Sequence, residues 1–331
     1  MNQPSRKTFI VVLASIVLVV GVGVFFVQTI FFGAPENDAE IERYVIPLSS
    51  DQNTLLEVLM SEGFVKNGQA LRIALYLEGK SLNDISPGGY RISKSMNAWE
   101  IASVISEEPY MKWIVIPEGY RKEQMTELLQ DAFNWSDEEA DKWVTVDTAM
   151  DFDHTEGVYF PDTYLIPVDE EPFKVAERLR AKFNEQFAPL AEEVAQQNIR
   201  WTTLLKIASI VQREAAGKDD MPLIAGILWN RLLKGDRLEV DATLQYIKGN
   251  KEDGWWPTVK PEDKQLNSPY NTYRNKGLPP HPISNPGITA MKATLYPEKT
   301  DCFFYLHDEE GNIHCAKTYE GHKANIEKYL R

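Results

Sequence analysis

From Phe9 to Phe32 the chain carries no charged residue and is dominated by Val, Ile, Leu and Phe. At 1.5 Å per residue such a run is long enough to cross the hydrocarbon core of a bilayer. It is also longer than the apolar core of a typical cleaved signal peptide, so an uncleaved anchor is expected. Arg6 and Lys7 precede the run, and Glu36, Asp38, Glu40 and Glu42 follow it. The positive-inside rule then places residues 1–8 in the cytoplasm as a short tail, 9–32 in the plasma membrane, and everything after Phe32 outside the cell.

The remaining chain is long enough for two modest domains or one large one. With 43% apolar and 25% charged residues it reads as globular, not as an extended disordered tail. A net charge of −14 argues against nucleic acid as a partner, because phosphate recognition needs a basic surface. A polysaccharide is not disfavoured, since sugars are held by stacking and hydrogen bonds.

Residues 33–43 read as an acidic stalk. A small α+β unit is expected over 44–108: strands at Tyr44–Pro47 and Tyr90–Ile92, helices at 54–61, 69–77 and 98–105, and a turn at Pro87–Gly89. Val115–Pro117 echoes Val45–Pro47, as a second strand–helix start. A larger mixed domain, 112–331, is expected to hold helices at about 122–133, 137–145, 171–197, 201–216 and 220–234. A loop-rich stretch follows over 235–287, then a helix at 287–295, a hairpin at 302–318 and a last helix. Loops of that length inside a compact domain are usually functional.

The 201–216 helix carries the chemistry. On a helical wheel Leu204, Ile207, Ala208, Val211 and Ala215 share one arc, while Lys206, Ser209 and Arg213 lie opposite. Glu214 falls inside the apolar side, between Ile207 and Ile210. A carboxyl there loses hydration and its pKa rises, which is what a general acid at neutral pH requires. A buried glutamate can equally be a structural ion-pair member, so its neighbours matter. The segments 267–273 and 277–287 group Tyr270, Asn271 and Tyr273 with hydroxyls and prolines. Trp255, Trp256, Tyr159, Phe160 and Tyr164 add aromatic surface of the kind that sugar rings dock on, or that fills a core.

Two cysteines, Cys302 and Cys315, flank the hairpin. A turn centred on Glu310–Gly311 would set Cys315 opposite Leu306 and Cys302 opposite Tyr319, too far apart to bridge, so free thiols are expected. The same register sets His307 opposite His314. Two ligands do not make a zinc site, and His281 and His322 have no ligand spacing to them, so no metal and no other cofactor is expected.

In this order along the chain, Pro117–Gly119, Glu156–Tyr164, Ala208–Glu214, Asn230–Leu232, Leu238–Thr243, Ser268–Tyr273 and Gly277–Pro280 resemble the successive motifs of the MltG (YceG-like) endolytic murein transglycosylases. The resemblance covers nearly all of the chain after the apolar run. It implies a LysM-like unit at 44–108, a catalytic domain at 112–331, and Glu214 as the catalytic acid. The family's Glu-Lys-Glu-like triplet is Gln212-Arg213-Glu214 here, which puts any role for a first carboxylate in doubt. The implied reaction is non-hydrolytic cleavage of the MurNAc–GlcNAc bond in glycan strands, leaving 1,6-anhydro ends. Tyr270, Asn271 and Tyr273 are expected to hold the glycan, and Asn230, Arg231, Asp241 and Thr243 to hold it or brace the site. Peptidoglycan strands, and membrane-bound synthases that make them, are the implied partners. Two other readings stay open: a hydrolase, with Asp241 or Glu156 as second carboxylate, and a non-catalytic wall-binding or scaffold protein.

Overall fold

The computed structural model describes residues 6–49, 51–149 and 156–330, so most of the expected cytoplasmic tail lies outside the described residues. The chain divides into two compact units: one runs to Trp113 and includes Leu165–Asp169, the other comprises Ile114–Tyr164 and Glu170–Arg331. The architecture is mixed α+β, as expected.

The first unit opens with helix α1 (Arg6–Phe26), continued by a wider turn over Val27–Phe31. The stretch Ile10–Phe31 is long and apolar enough to cross a membrane, and none of it is buried in the protein. Strand β1 (Glu42–Ile46), helices α2 (Gln52–Ser61) and α3 (Gly68–Leu77), strand β2 (Gly88–Ile92) and helix α4 (Ala98–Ser106) follow. Strands β3 (Met111–Val115) and β4 (Thr163–Pro167) complete a sheet of order β1-β2-β3-β4. Tyr44 pairs with Tyr90 across β1 and β2. Leu59, Leu71, Leu75, Ile92, Ile101 and Ile105 fill the core beneath them. The helices are capped where the sequence provides caps: Asn97 accepts from the backbone N–H groups of Trp99 and Glu100, and Glu100 accepts from that of Asn97.

The segment read as a stalk does not hang free. Just before it, Phe32, the last residue of the expected span, is buried and stacks on Trp99, with ring centroids 4.7 Å apart. The Glu36 N–H donates to the Lys94 carbonyl, and the Ser93 hydroxyl donates to the Ala39 carbonyl. Two of its backbone groups thus find partners in Ser93 and Lys94, just after β2.

The second unit contains α5 (Lys122–Phe133), α6 (Asp137–Lys142, extended by a wider turn to Asp147), α7 (Pro172–Gln196), α8 (Trp201–Glu214), α9 (Met221–Lys234), α10 (Asp241–Lys248), α11 (Ile288–Leu295), strands β5 (Phe304–His307) and β6 (Ile313–Ala316), and α12 (Tyr319–Tyr329). Helix α11 packs against both α8 and α9, burying Ala290 and Met291 with Leu204, Ile207, Ala208, Val211, Ile224 and Leu228. Gly226 admits the chain at Glu298, whose carbonyl lies 2.2 Å from where a Cβ would stand. Within the loop-rich 235–287 region the structure forms α10 and a short 3-10 turn at Pro261–Gln265, neither of them expected.

The hairpin register is shifted by one residue from expectation. Tyr305, not Leu306, stands opposite Cys315, and His307 faces Ile313, not His314. The cause is a five-residue loop, Asp308 to Asn312, closed by the Asp308 N–H on the Asn312 carbonyl and by Gly311 at φ 83°. The Phe303 N–H also bonds the Ala316 carbonyl, although Ala316 already stands opposite Phe304, so the incoming chain carries one extra residue. That brings the Cys302 and Cys315 Cα atoms to 5.9 Å, and the two are joined in a disulfide. The expectation of free thiols is therefore corrected.

Candidate active site

Helix α8 buries its apolar face, and its last residue, Glu214, emerges into a cleft of about 820 Å³. Leu238, Glu239 and Asp241 before and at the start of α10, Lys264, Tyr273, Phe304, Tyr305 and Leu306 of β5, Arg231 of α9, Tyr319, His322 and Ile326 of α12, and Leu330 complete the lining.

Both oxygens of Glu214 are engaged. Oε1 accepts from the backbone N–H of Ala242 at 3.2 Å, and Oε2 accepts from the Tyr305 hydroxyl at 2.6 Å. Burial raises the carboxyl's pKa. The Tyr305 and Ala242 hydrogen bonds and nearby His307 work against the rise, and the charge of Asp241 adds to it. Burial also holds the Tyr305 phenol far above its ordinary pKa, so it stays a proton donor. The result is a carboxyl that tends to keep its proton yet has two donors waiting for the charge it acquires on releasing it.

Asp241 is the first residue of α10 and accepts from the Tyr273 hydroxyl at 2.6 Å. Glu239 takes a left-handed backbone conformation (φ 53°), with its N–H on the Thr272 carbonyl. A non-glycine residue in that region costs energy, and such residues gather at sites whose geometry is over-determined. His307 is held by Asp220 through a 2.7 Å contact, and Asp220 in turn accepts from the N–H groups of Ala216 and Gly217 just after Glu214.

The structure thus brings Glu214, Asp241, Tyr273 and Arg231 of the expected set to one cleft. Arg231 is turned to the backbone: Nε donates to the Phe303 carbonyl and NH1 to the Leu238 carbonyl, each at 2.5 Å. Asn230 donates to the carbonyls of Thr300 and Cys302. Thr243 is buried against the Val240 carbonyl and the Thr272 hydroxyl. Asn271 is fully buried, donating to the Lys264 and Leu266 carbonyls and accepting from the Tyr273 N–H. Tyr270 packs 4.9 Å from the Tyr246 ring, which Arg121 covers on one face. None of Asn230, Thr243, Tyr270 and Asn271 lines the cleft. Tyr159, Phe160 and Tyr164 are buried core.

Glu156, the other carboxylate considered, is buried away from the cleft lining. It accepts from the Lys122 N–H and from the Asn285 side-chain amide, whose oxygen takes the Gly157 and Tyr159 N–H groups. Burial and the charge of Glu123 push its pKa up to about 8. Gln212 accepts the Gly287 N–H, so the residue standing at the family's first acid clamps a loop. Ser209, placed on the polar arc by the wheel, is buried and takes the Ile283 N–H. Among the described residues no three His, Cys, Asp or Glu side chains group as metal ligands.

Tyr305, Glu239 and Lys264 line the cleft, and His307, held by Asp220, acts on Glu214 through its charge; the sequence reading picked out none of them for this site. For Tyr305 the available signal was the alternation of the hairpin, and it was lost with the register.

Comparison with known proteins places residues 44–328 within a model of the YceG-like family. A Bacillus subtilis protein named endolytic murein transglycosylase is 27% identical, covering 86% of this chain and 84% of its own. A Streptococcus pneumoniae protein of the same name is 26% identical over 88% of this chain. The chain spans 60% of the length of that pneumococcal relative. The crystal structure of a YceG-like protein from Listeria monocytogenes superposes with a TM-score of 0.55 at 27% identity, covering 87% of this chain and 99% of that one.

Proposed function

This chain belongs to the YceG-like family, and on that premise we propose that it is an endolytic lytic transglycosylase of peptidoglycan with Glu214 as general acid and base. The observation that carries the reading is the Glu214 carboxyl: partly buried in an open cleft, its pKa raised by burial, with one donor on each oxygen. Protonated Glu214 gives its proton to the glycosidic oxygen as the bond from C1 of N-acetylmuramic acid breaks, the electron pair leaving with that oxygen. Tyr305 and Ala242 hold the carboxylate that remains. The muramic 6-hydroxyl then closes on C1 and its proton returns to Glu214, leaving a 1,6-anhydro end. Asp241, anchored by Tyr273, faces the positive charge that builds on the sugar.

Glu214→Gln keeps the shape and removes the transferable proton. Turnover of purified glycan strands should fall by at least about 10²-fold, the scale of general acid catalysis. Fold and glycan affinity should survive. Mass spectrometry of wild-type products should find anhydro ends. Near-normal turnover in Glu214→Gln removes the assignment. Reducing, water-derived ends would make the protein a hydrolase with Asp241 as its second carboxylate, and intact strands would leave a binding protein.

The apolar helix serves in this reading as a membrane anchor with the N-terminus in the cytoplasm and both units outside. The Cys302–Cys315 disulfide supports an oxidising, extracytoplasmic site for the second unit. The unit over 44–108 would place the glycan or the catalytic domain, and nascent strands released by membrane-bound synthases are the natural substrate.

A further inference from the structure

We propose that Tyr305 is a second catalytic residue and that the Cys302–Cys315 disulfide is the positioning device that delivers its hydroxyl to Glu214. The proposal rests on the reading of Glu214 as the acid.

Three observations carry it. The Tyr305 hydroxyl touches the reacting carboxyl itself, at 2.6 Å from Oε2, a length typical of a bond to a charged acceptor. A phenol can donate to the carboxylate and, by turning its O–H, accept from the protonated acid, whereas the Ala242 N–H on Oε1 can only donate. Tyr305 therefore suits both states that Glu214 passes through, and its donation favours the charged one. The third observation is how the tyrosine is held. It sits on a two-stranded sheet of four-residue strands, a unit with little stability of its own. The residue directly opposite it is Cys315, and the disulfide ties Cys315 to Cys302 just before β5, so the bridge fixes the entry of β5 to the strand residue that faces the catalytic tyrosine.

Other groups facing Glu214 are Asp241 at the start of α10, Tyr273 bonded to it, His307 beside Tyr305 on β5 with Asp220, Arg213 on α8, and Arg231 and Glu239 in the cleft wall. None of them hydrogen-bonds a Glu214 oxygen. The polar bonds to those oxygens come from Tyr305 and Ala242.

Losing the Tyr305 donor leaves the Glu214 carboxylate less stabilised, so the acid is weaker and stays protonated to higher pH. In the full-length detergent-solubilised protein, Tyr305→Phe should lower kcat about 10- to 100-fold with KM little changed. The alkaline limb of its kcat/KM profile should move to higher pH. Cys302→Ser with Cys315→Ser, and wild type treated with dithiothreitol, should show a smaller loss of kcat and the same direction of limb shift. Dithiothreitol should do nothing further to the serine variant. Adding the serine changes to Tyr305→Phe should cost little more, because both act through one contact.

Wild-type kcat and an unmoved limb in Tyr305→Phe overturn the role of the hydroxyl. A reduced or serine-substituted protein with normal circular dichroism and an unmoved limb overturns the positioning role of the bridge. If the serine variant fails to fold, dithiothreitol on folded wild type and its effect on the limb decide. These failures are separable from failure of the Glu214 reading, which is judged by Glu214→Gln alone. An inactive Glu214→Gln beside an unaffected Tyr305→Phe sinks only this inference.

Discussion

Arg231 was expected to hold glycan or to brace the site, and the structure gives it a bracing geometry that can be tested. Its guanidinium joins the Phe303 carbonyl, at the entry to β5, to the Leu238 carbonyl, before α10. The two elements that supply Tyr305 and Asp241 are thus tied by one side chain, itself 9% exposed. Arg231→Met keeps an apolar stem of similar length and removes both bonds, the guanidinium over Phe304, and the longer contacts to the Arg237 carbonyl and Glu239. A hydrogen bond from a charged donor contributes about 1.5–3 kcal/mol, and the lower end applies here because carbonyls in a cleft wall can partly rehydrate. Two such bonds give about 3 kcal/mol. For a domain of this size each kcal/mol moves the melting temperature by roughly 2–4 °C, so a drop of about 6–12 °C is expected by circular dichroism. Arg231→Lys keeps the charge but has no fork to serve two carbonyls, and should fall between the two. Turnover should decline in step with stability while glycan affinity of the folded protein is kept. A melting temperature within about 2 °C of wild type, with affinity lost, would show that Arg231 reads the sugar and that the bracing argument is wrong.

The electrostatics of the acid predict two opposite pH shifts. The charge of Asp241 helps raise the Glu214 pKa, so Asp241→Asn should lower it, and the alkaline limb of kcat/KM, which follows protonated Glu214, should move to lower pH. Ala242→Pro removes the N–H that favours the ionised form, in a first helical turn where proline is tolerated, so the limb should move to higher pH. Limbs moving together, or not at all, in the two variants would contradict the assignment of that limb to Glu214. For topology, a reporter fused after Arg331 should be active only outside the cytoplasm, and a cytoplasmic signal would refute the anchor orientation.

The legible parts of this molecule are those set by long, repeated patterns. Helix α8 was readable because its apolar residues recur at the helical period over four turns, and that period set Glu214 on the apolar side while leaving its role open. Helix α10 was not readable, since it spans only Asp241–Lys248 among prolines, glycines and aromatics. Asn230 and Thr243, expected to hold the glycan or to brace the site, and Tyr270 and Asn271, expected to hold it, lie outside the cleft lining for a different reason. An amide or hydroxyl has the same sequence signature whether it meets a sugar or a backbone carbonyl. A long irregular segment has many backbone groups to satisfy, and Asn271 alone serves three of them.

The hairpin shows how little it takes to lose a site residue. A one-residue slip in register changes the residue that every strand position meets across the ladder. With the turn placed one residue off, Leu306 stood opposite Cys315, the thiols stayed apart, and Tyr305 drew no notice. The actual register pairs Tyr305 with Cys315 and puts a phenol on Glu214. It also leaves the cleft with two carboxyl–phenol pairs of equal length, Glu214 with Tyr305 and Asp241 with Tyr273. Their settings differ. Glu214 is taken from water and ends a helix, whose last turn disfavours negative charge, while Asp241 begins one, whose first turn favours it.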